Sequence, residues 1–137
     1  GHRLRDGGMI GEPRLLRMDY ETYGGEEVFL SFEDENETLF GLLRLRINKG
    51  VPASSNADLA LVRELHVFGS EVPLGEKRAQ AAQHQGLGEK LLREAERIAR
   101  EEFLVGKLSI LSGIGARSYY RALGYHLEGA YMVKELL

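Results

Sequence analysis

Two short strings in this sequence carry residue types that can do chemistry. The first is Gln83-His84-Gln85-Gly86-Leu87-Gly88, which stands just before a long amphipathic stretch. Two glycines two apart let a backbone come close to a bulky anion and turn its N–H groups toward it. A helix opening there adds unpaired N–H groups and the positive end of its dipole. One exposed anion gains about 0.3–1 kcal/mol from that dipole, and about 2 kcal/mol when partly buried. A diphosphate held by several N–H groups gains more. The string has neither the Lys-Ser/Thr of a P-loop nor the third glycine and downstream acid of a dinucleotide fingerprint. A glycine-rich helix start without a ligand would read the same way.

The second string is Ala116-Arg117-Ser118-Tyr119-Tyr120-Arg121-Ala122-Leu123-Gly124-Tyr125. Neighbours on a helix point about 100° apart, so one tyrosine can pack inward while the other offers its hydroxyl at a cleft. A tyrosine placed there can protonate a leaving thiolate, a role worth about 10²–10⁴ in rate. Two core rings with wet hydroxyls would also fit. Glu64 and His66 stand in a β-prone run, where each has a structural alternative: an ion pair with Arg63 or Arg44 for Glu64, a satisfied strand histidine for His66. Arg44, Arg46, Lys77, Arg78, Arg117 and Arg121 are candidates to touch phosphate, although a solvated face is the default for such groups.

Both strings need elements to hold them. Residues 1–26 are polar and glycine-rich and read as a leading segment with one short strand, Arg14 to Met18. A domain of residues 27–137 follows. Val28 to Phe32 and Leu39 to Ile47 form a hairpin about Glu33-Asp34-Glu35-Asn36, and Leu59 to Phe68 is a further strand. Past a loop with Pro73 and Gly75, the apolar period becomes 3.6: Leu87, Leu91, Ala95, Ile98 and Ala99 share one face of a helix from Gly86 to Glu102. Its outer face is expected to carry the pairs Glu89–Arg93, Lys90–Glu94, Glu96–Arg100 and Arg97–Glu101. Lys107 to Leu111, a short helix from Ala116 to Leu123, and strands at Tyr125 to Leu127 and Tyr131 to Leu136 close the chain. A strand, a long helix and another strand require a right-handed crossover, so those two strands should run parallel. The fold class is α/β (α+β).

Taken together, strand, loop, Gln-x-x-Gly-x-Gly, helix, strand and a helix with Tyr ahead of Leu-Gly-Tyr resemble the GNAT N-acetyltransferase family. That resemblance implies a mixed central sheet of six to seven strands, helices on both faces, and splayed strands at an acetyl-coenzyme A site. It places Glu64, Leu65, His66 and Val67 at the acetyl end of the coenzyme. Gln83, Gln85, Gly86, Leu87, Gly88 and Glu89 belong to the pyrophosphate loop, with Tyr120, seconded by Tyr119, as the general acid. Longer strings are similar to the acetyltransferase domain of the Elongator catalytic-subunit family: Glu64-Leu-His-Val-Phe-Gly-Ser, Ser112-Gly-Ile-Gly-Ala-Arg-Ser-Tyr-Tyr-Arg and Gly129-Ala-Tyr-Met-Val-Lys. This implies an enzyme of tRNA wobble-uridine modification that uses acetyl-coenzyme A. Its partner is a radical-SAM domain of the same longer chain, bearing S-adenosylmethionine and a 4Fe-4S cluster, with tRNA and other Elongator subunits as further partners. A stand-alone acetyltransferase of lysine or a small amine is the alternative. The family tends to carry a metal-binding Cys between arginines where Arg3-Leu4-Arg5 stands here.

Composition narrows the classes further. With 137 residues the length favours one domain. Zero cysteines exclude a disulfide scaffold, thiolate zinc, a cysteine nucleophile and an iron–sulfur cluster held by these residues. No metal site is assigned. The formal charge of −3 argues against gripping RNA by bulk electrostatics, so tRNA affinity is expected to come from elsewhere in a longer protein. No apolar run reaches 18 residues and no signal peptide is legible, so no membrane contact and a cytoplasmic location are expected. The opening Gly1-His2 reads as a tag remnant on a piece of a longer chain.

Overall fold

The computed structural model describes residues 11–50, 59–68 and 86–137. Strand β1 (Arg14–Thr22) turns at Tyr23-Gly24 into β2 (Gly25–Glu33), which returns as β3 (Leu39–Asn48), and β4 is Ala60–Val67. Helix α1 (Leu87–Arg97) ends in a π-helical turn, Ile98–Glu102. Strand β5 (Lys107–Leu111), a 3₁₀ turn (Ile114–Ala116), helix α2 (Arg117–Ala122), β6 (His126–Glu128) and β7 (Tyr131–Glu135) complete the order. Among the described residues, seven strands join one sheet in the order β1-β2-β3-β4-β5-β7-β6. The expected parallel pair is there: β4 and β5 run parallel, and the other pairs are antiparallel.

Alternation along the strands decides which face is dry. Val28, Leu30 and Phe32 on β2, with Leu43, Leu45 and Ile47 on β3, point to the side on which α1 lies. Leu87, Leu91, Ala95, Ile98 and Ala99, the five positions expected on the inner face of the helix, are all buried, and Leu92 joins them. Each such side chain contributes about 1.5–3 kcal/mol when fully withdrawn from water. Helix α2 stands on the same side: Lys134, two residues from buried Met132, reaches from β7 to the Leu123 carbonyl at 3.4 Å. Among the described residues no helix covers the opposite face of β1–β4, although helices were expected on both faces.

Strand β1 is longer than the expected Arg14 to Met18. Its whole length pairs with β2, from Arg14↔Glu33 to Thr22↔Gly25. The turn between β2 and β3 is held by Asp34, a buried side chain whose Oδ1 accepts N–H groups of Asn36 and Thr38 at 2.9 Å, while Oδ2 accepts that of Gly11 at 3.2 Å. Burial pushes this carboxyl up, but the N–H groups of Thr38, Asn36 and Gly11 outweigh it and leave it below the usual range.

A fork of hydrogen bonds ties β1 to the far end of α1. Arg17 donates from Nη2 to Glu102 Oε1 at 2.7 Å and from Nη1 to Oε2 at 2.9 Å. Arg17 does most to stabilise the ionised form of Glu102; burial opposes it, Arg97 adds to it, and the pKa falls from 4.5 to about 2. A carboxylate whose pKa is lower in the folded state contributes stability above its unfolded value and loses it as pH drops. The stability owed to this pair is therefore complete above pH 4.5 and gone by about pH 2. A Glu102→Gln variant should show a shallower fall in urea midpoint across that interval than the parent chain, with little difference in slope near pH 7.

Candidate active site

The site begins where β4 leaves its neighbour. Only Leu61↔Ser109 and Val62↔Ile110 are paired between β4 and β5. On the β3 side a bulge falls at the same place: Arg44 faces Glu64 and Leu45 faces Val62, so Arg63 is the extra residue. Beyond it β4 keeps β3 but loses β5. Phe68 donates its N–H to the Phe40 carbonyl at 2.9 Å, on the β3 side. Strand alternation therefore turns the N–H and C=O of Leu65 and Val67 to the open side.

Helix α1 starts against this open edge. Gly86 takes φ +86° at its N-cap, with no side chain capping it, and the Gly86 carbonyl accepts the Lys90 N–H at 2.9 Å. The N–H groups of Leu87, Gly88 and Glu89 are thus free of helical partners. A Cβ at Gly88 would lie 2.7 Å from Tyr119 Oη and 3.4 Å from Val67 Cγ2, so glycine lets the Tyr119 hydroxyl sit directly against the start of α1. Gly86 is needed for its positive φ instead, since nothing crowds it. Leu65, Val67, Gly86, Leu87, Gly88, Glu89, Tyr119 and Tyr120 line one cleft of about 510 Å³, within the usual size of ligand pockets.

The two tyrosines divide as helix geometry expects. Tyr120 is 8% exposed and Tyr119 is 45% exposed. Their rings meet edge to face at 5.2 Å, and Tyr120 meets Tyr125 at 6.1 Å. Burial, then the neighbouring Tyr119, raises the Tyr120 pKa; burial and Glu89 raise that of Tyr119 against the pull of Arg93. Both hydroxyls stay protonated at neutral pH.

One determinant was missed. Glu96 was expected on the outer face of α1, paired with Arg100; the structure buries it beneath α2. Tyr125 donates its hydroxyl to Glu96 Oε2 at 2.7 Å, Arg93 donates to the same oxygen at 3.0 Å, and Lys134 to Oε1 at 3.3 Å. Arg93 and Lys134 also donate to the Leu123 carbonyl at the end of α2. Burial and then the bond to Glu96 push the Tyr125 pKa far up. A clue existed in the sequence, since Glu96 lies one turn from the apolar Leu92 and Ala99, but of its three partners only Arg93 is local, and Tyr125 and Lys134 are distant.

Of the other expected residues, Leu65, Val67, Gly86, Leu87, Gly88, Glu89, Tyr119 and Tyr120 converge on the cleft. Glu64 and His66 do not, because alternation sends them to the opposite face: Glu64 accepts Arg44 Nε at 3.0 Å, and His66 stacks on Phe68 at 5.4 Å. Gln83 and Gln85 lie outside the described residues, as do Leu4, Lys77, Arg78 and His84.

A seven-stranded sheet parted between two parallel strands, with a bare helix N-terminus facing the gap, is the architecture of acyl-coenzyme A acyltransferases. The model of the acetyltransferase (GNAT) family matches residues 9–125, and this chain belongs to that family. It is 56% identical, across 99% of its length, to a tRNA uridine(34) acetyltransferase of Dehalococcoides mccartyi, and covers 30% of that protein. It is 52% identical across 89% of its length to Elongator complex protein 3 of Danio rerio, covering 23% of it. A solved archaeal structure, Methanocaldococcus infernus Elp3 with an N-terminal deletion, superposes on 90% of this chain and 30% of its own with a TM-score of 0.74 at 48% identity. The chain therefore spans less than a third of these relatives. Tetrahymena GCN5, with a TM-score of 0.53 at 13% identity, shares the fold.

Removing the Glu96 carboxylate leaves the buried Tyr125 hydroxyl without its acceptor and takes one acceptor each from Arg93 and Lys134. A Glu96→Ala variant should lose about 1.5–3 kcal/mol of unfolding free energy, with Glu96→Gln intermediate, as read from urea midpoints. Gly88→Ala should keep a midpoint near that of the parent chain, because the far end of Tyr119 can swing away, while changing the cleft.

Proposed function

We propose that this chain is the acetyl-coenzyme A-binding acetyltransferase domain of a tRNA wobble-uridine-modifying enzyme. The observation that supports it best is one juxtaposition: the uncapped N–H groups of Leu87, Gly88 and Glu89 face the strand edge of Leu65 and Val67 across the cleft. The residues fit the coenzyme. The N-terminal N–H groups suit a diphosphate, and the open edge supplies donors and acceptors for the amides of a pantetheine arm. Gly88 keeps Cβ out of the space between them. When bound, acetyl-coenzyme A supplies an activated acyl group and a thiolate leaving group.

The chain's own residues then have separable roles. Leu87–Glu89 bind by backbone, so their effect is mainly on affinity. Gly86 supplies the turn that aims those N–H groups. Tyr120, fixed between Tyr119 and Tyr125, holds a proton on its hydroxyl at neutral pH and donates it to the departing sulfur. Tyr119 bounds the cleft beside Gly88 and is the second candidate for that proton. Glu64 and His66 lie on the other face of β4 and take no part in holding the coenzyme.

The substrate reading rests on relatives. Proteins named for tRNA uridine(34) and for the Elongator complex match at 48–56% identity, which favours a uridine acceptor over an amine. The remaining two-thirds or more of a longer chain would grip tRNA and supply the radical-SAM chemistry, other Elongator subunits would be partners of that whole, and the site of action would be cytoplasmic. Among the described residues no helix is long and apolar enough to cross a membrane.

Calorimetric titration of the chain with coenzyme A checks the cleft. Binding is expected, and coenzyme A at 100 times its dissociation constant should stabilise the fold by about 2.7 kcal/mol. Gly86→Glu and Gly88→Glu should abolish binding, since a carboxylate would stand in the diphosphate cradle. Tyr120→Phe should keep affinity within a few-fold while slowing thioester turnover by about 10² or more. Undiminished affinity in the Gly88→Glu protein would remove the cradle from the proposal.

A further inference from the structure

The face of the sheet opposite α1 holds a second hollow, about 430 Å³, lined by Tyr20, Thr22, Glu27, Arg44, Arg63 and Glu64. It sits behind the point where β4 parts from β5, since Glu64 opens to it and the adjacent Leu65 opens to the coenzyme cleft. The two hollows are back to back across one strand.

Its charges alternate and cancel. Arg44 pairs with Glu64 at 3.0 Å, and Arg63 pairs with Glu27 at 3.2 Å. With both carboxylates already on arginines, Glu27 on Arg46 at 3.5 Å as well as on Arg63, no unpaired charge of either sign is left to seat a phosphate or an ammonium. A neutral group with its own alternation of donors and acceptors suits it better. Arg44 spends Nε on Glu64 and Nη1 on the Tyr20 hydroxyl, and Arg63 spends Nη1 on Glu27. Among the described residues, that leaves Nη2 of Arg44 and both Nε and Nη2 of Arg63 free to donate, while Glu64, bonded to Arg44 through Oε1 and next to Arg63 in sequence, keeps its second oxygen to accept. Two arginine donors and one carboxylate acceptor in the same hollow match in kind a pyrimidine-2,4-dione edge, whose two carbonyls flank one N–H. Tyr20, 40% exposed, offers a ring at the rim, and extruded bases are read by such edge bonds together with stacking.

We propose that this hollow binds the uracil ring of an extruded uridine, presenting the acceptor to the gap from the side opposite the coenzyme. The inference rests on the uridine reading of the preceding subsection and adds the residues that select the base: Arg44, Glu64 and Arg63. Cytosine presents an acceptor where uracil presents its N–H, and an amino group in place of one carbonyl, so it meets Glu64 and an arginine with the wrong polarity. A methyl group on N3 removes the donor outright.

The test is a ¹H–¹⁵N NMR titration of the 137-residue chain with uridine, cytidine and 3-methyluridine. Uridine should move the amides around Arg44 and Glu64 saturably. Cytidine and 3-methyluridine should bind roughly five- to tenfold more weakly, the size of one net hydrogen bond. Arg63→Ala, an exposed change that should retain the parent's spread of amide shifts, should weaken uridine by a similar factor. Equal response to the three nucleosides, shifts confined to other faces, or an Arg63→Ala protein that binds uridine like the parent would each overturn the proposal. Coenzyme A titrated into the same samples scores the other hollow separately. Coenzyme binding with no uridine selectivity sinks this inference alone, and loss of coenzyme binding sinks the donor site.

Discussion

Backbone N–H and C=O groups need partners wherever water is withdrawn, and β4 past Arg63 has a strand on one side only. The rest of the molecule is arranged around that open edge. The bulge at Arg63 puts an extra residue where the parallel pairing with β5 ends, and so bends β4 away without breaking its ladder to β3. The N-terminus of α1 then brings a second set of unpaired N–H groups to the same cleft. A strand edge of unpaired donors and acceptors facing a row of unpaired helix donors would be a defect in a closed core, and suits a site for a long polar ligand.

Holding that gap open needs rigid walls, because the unpaired edge contributes nothing to keep them apart. One wall is α1, held on the sheet by a continuous apolar stripe. The other is α2, which has only six residues and could not keep its place by helix propensity. It is held instead by the buried cluster about Glu96. The Arg93 and Lys134 side chains accept the duty of satisfying its last carbonyl, while Tyr125 braces Tyr120 from below. A charged cluster beneath a short helix resists sliding better than an oily contact, because each hydrogen bond has one geometry. The positions of the cleft tyrosines thus depend on a glutamate that touches neither ring of the pair.

The opposite face obeys a different rule. With no described helix upon it, β1–β4 present alternate positions to solvent, and these are mostly paired ions and isolated rings: Arg44 over Phe29 at 4.8 Å, Arg46 beside Glu27 at 3.5 Å, His66 on Phe68. Arg46 is fully engaged, donating to Asn48, to the Tyr23 carbonyl and to the Thr22 hydroxyl, and locks the turn between β1 and β2. Arg44 and Arg63 are engaged in part. That difference separates structural arginines from those left with donors to offer.

What the sequence by itself determined was local. The period of 3.6 from Leu87 to Ala99 marked α1 and its inner face, the alternation through Leu43, Leu45 and Ile47 marked β3, and the glycines at 86 and 88 marked the bare start of α1; the parallel crossover followed from element order. These depend on neighbours a few residues apart, and one chain carries that information in its spacing. Tertiary structure alone decided the rest. It extended β1, whose polar pattern hides a nine-residue strand until β2 offers a ladder. It turned Glu64 and His66 away from the cleft, because the bulge at Arg63 resets which residues face which side. It buried Glu96, whose partners lie up to 38 residues away. A side chain's direction on a strand hangs on register, and the cost of burying a charge hangs on what meets it; both are set only when distant segments come together.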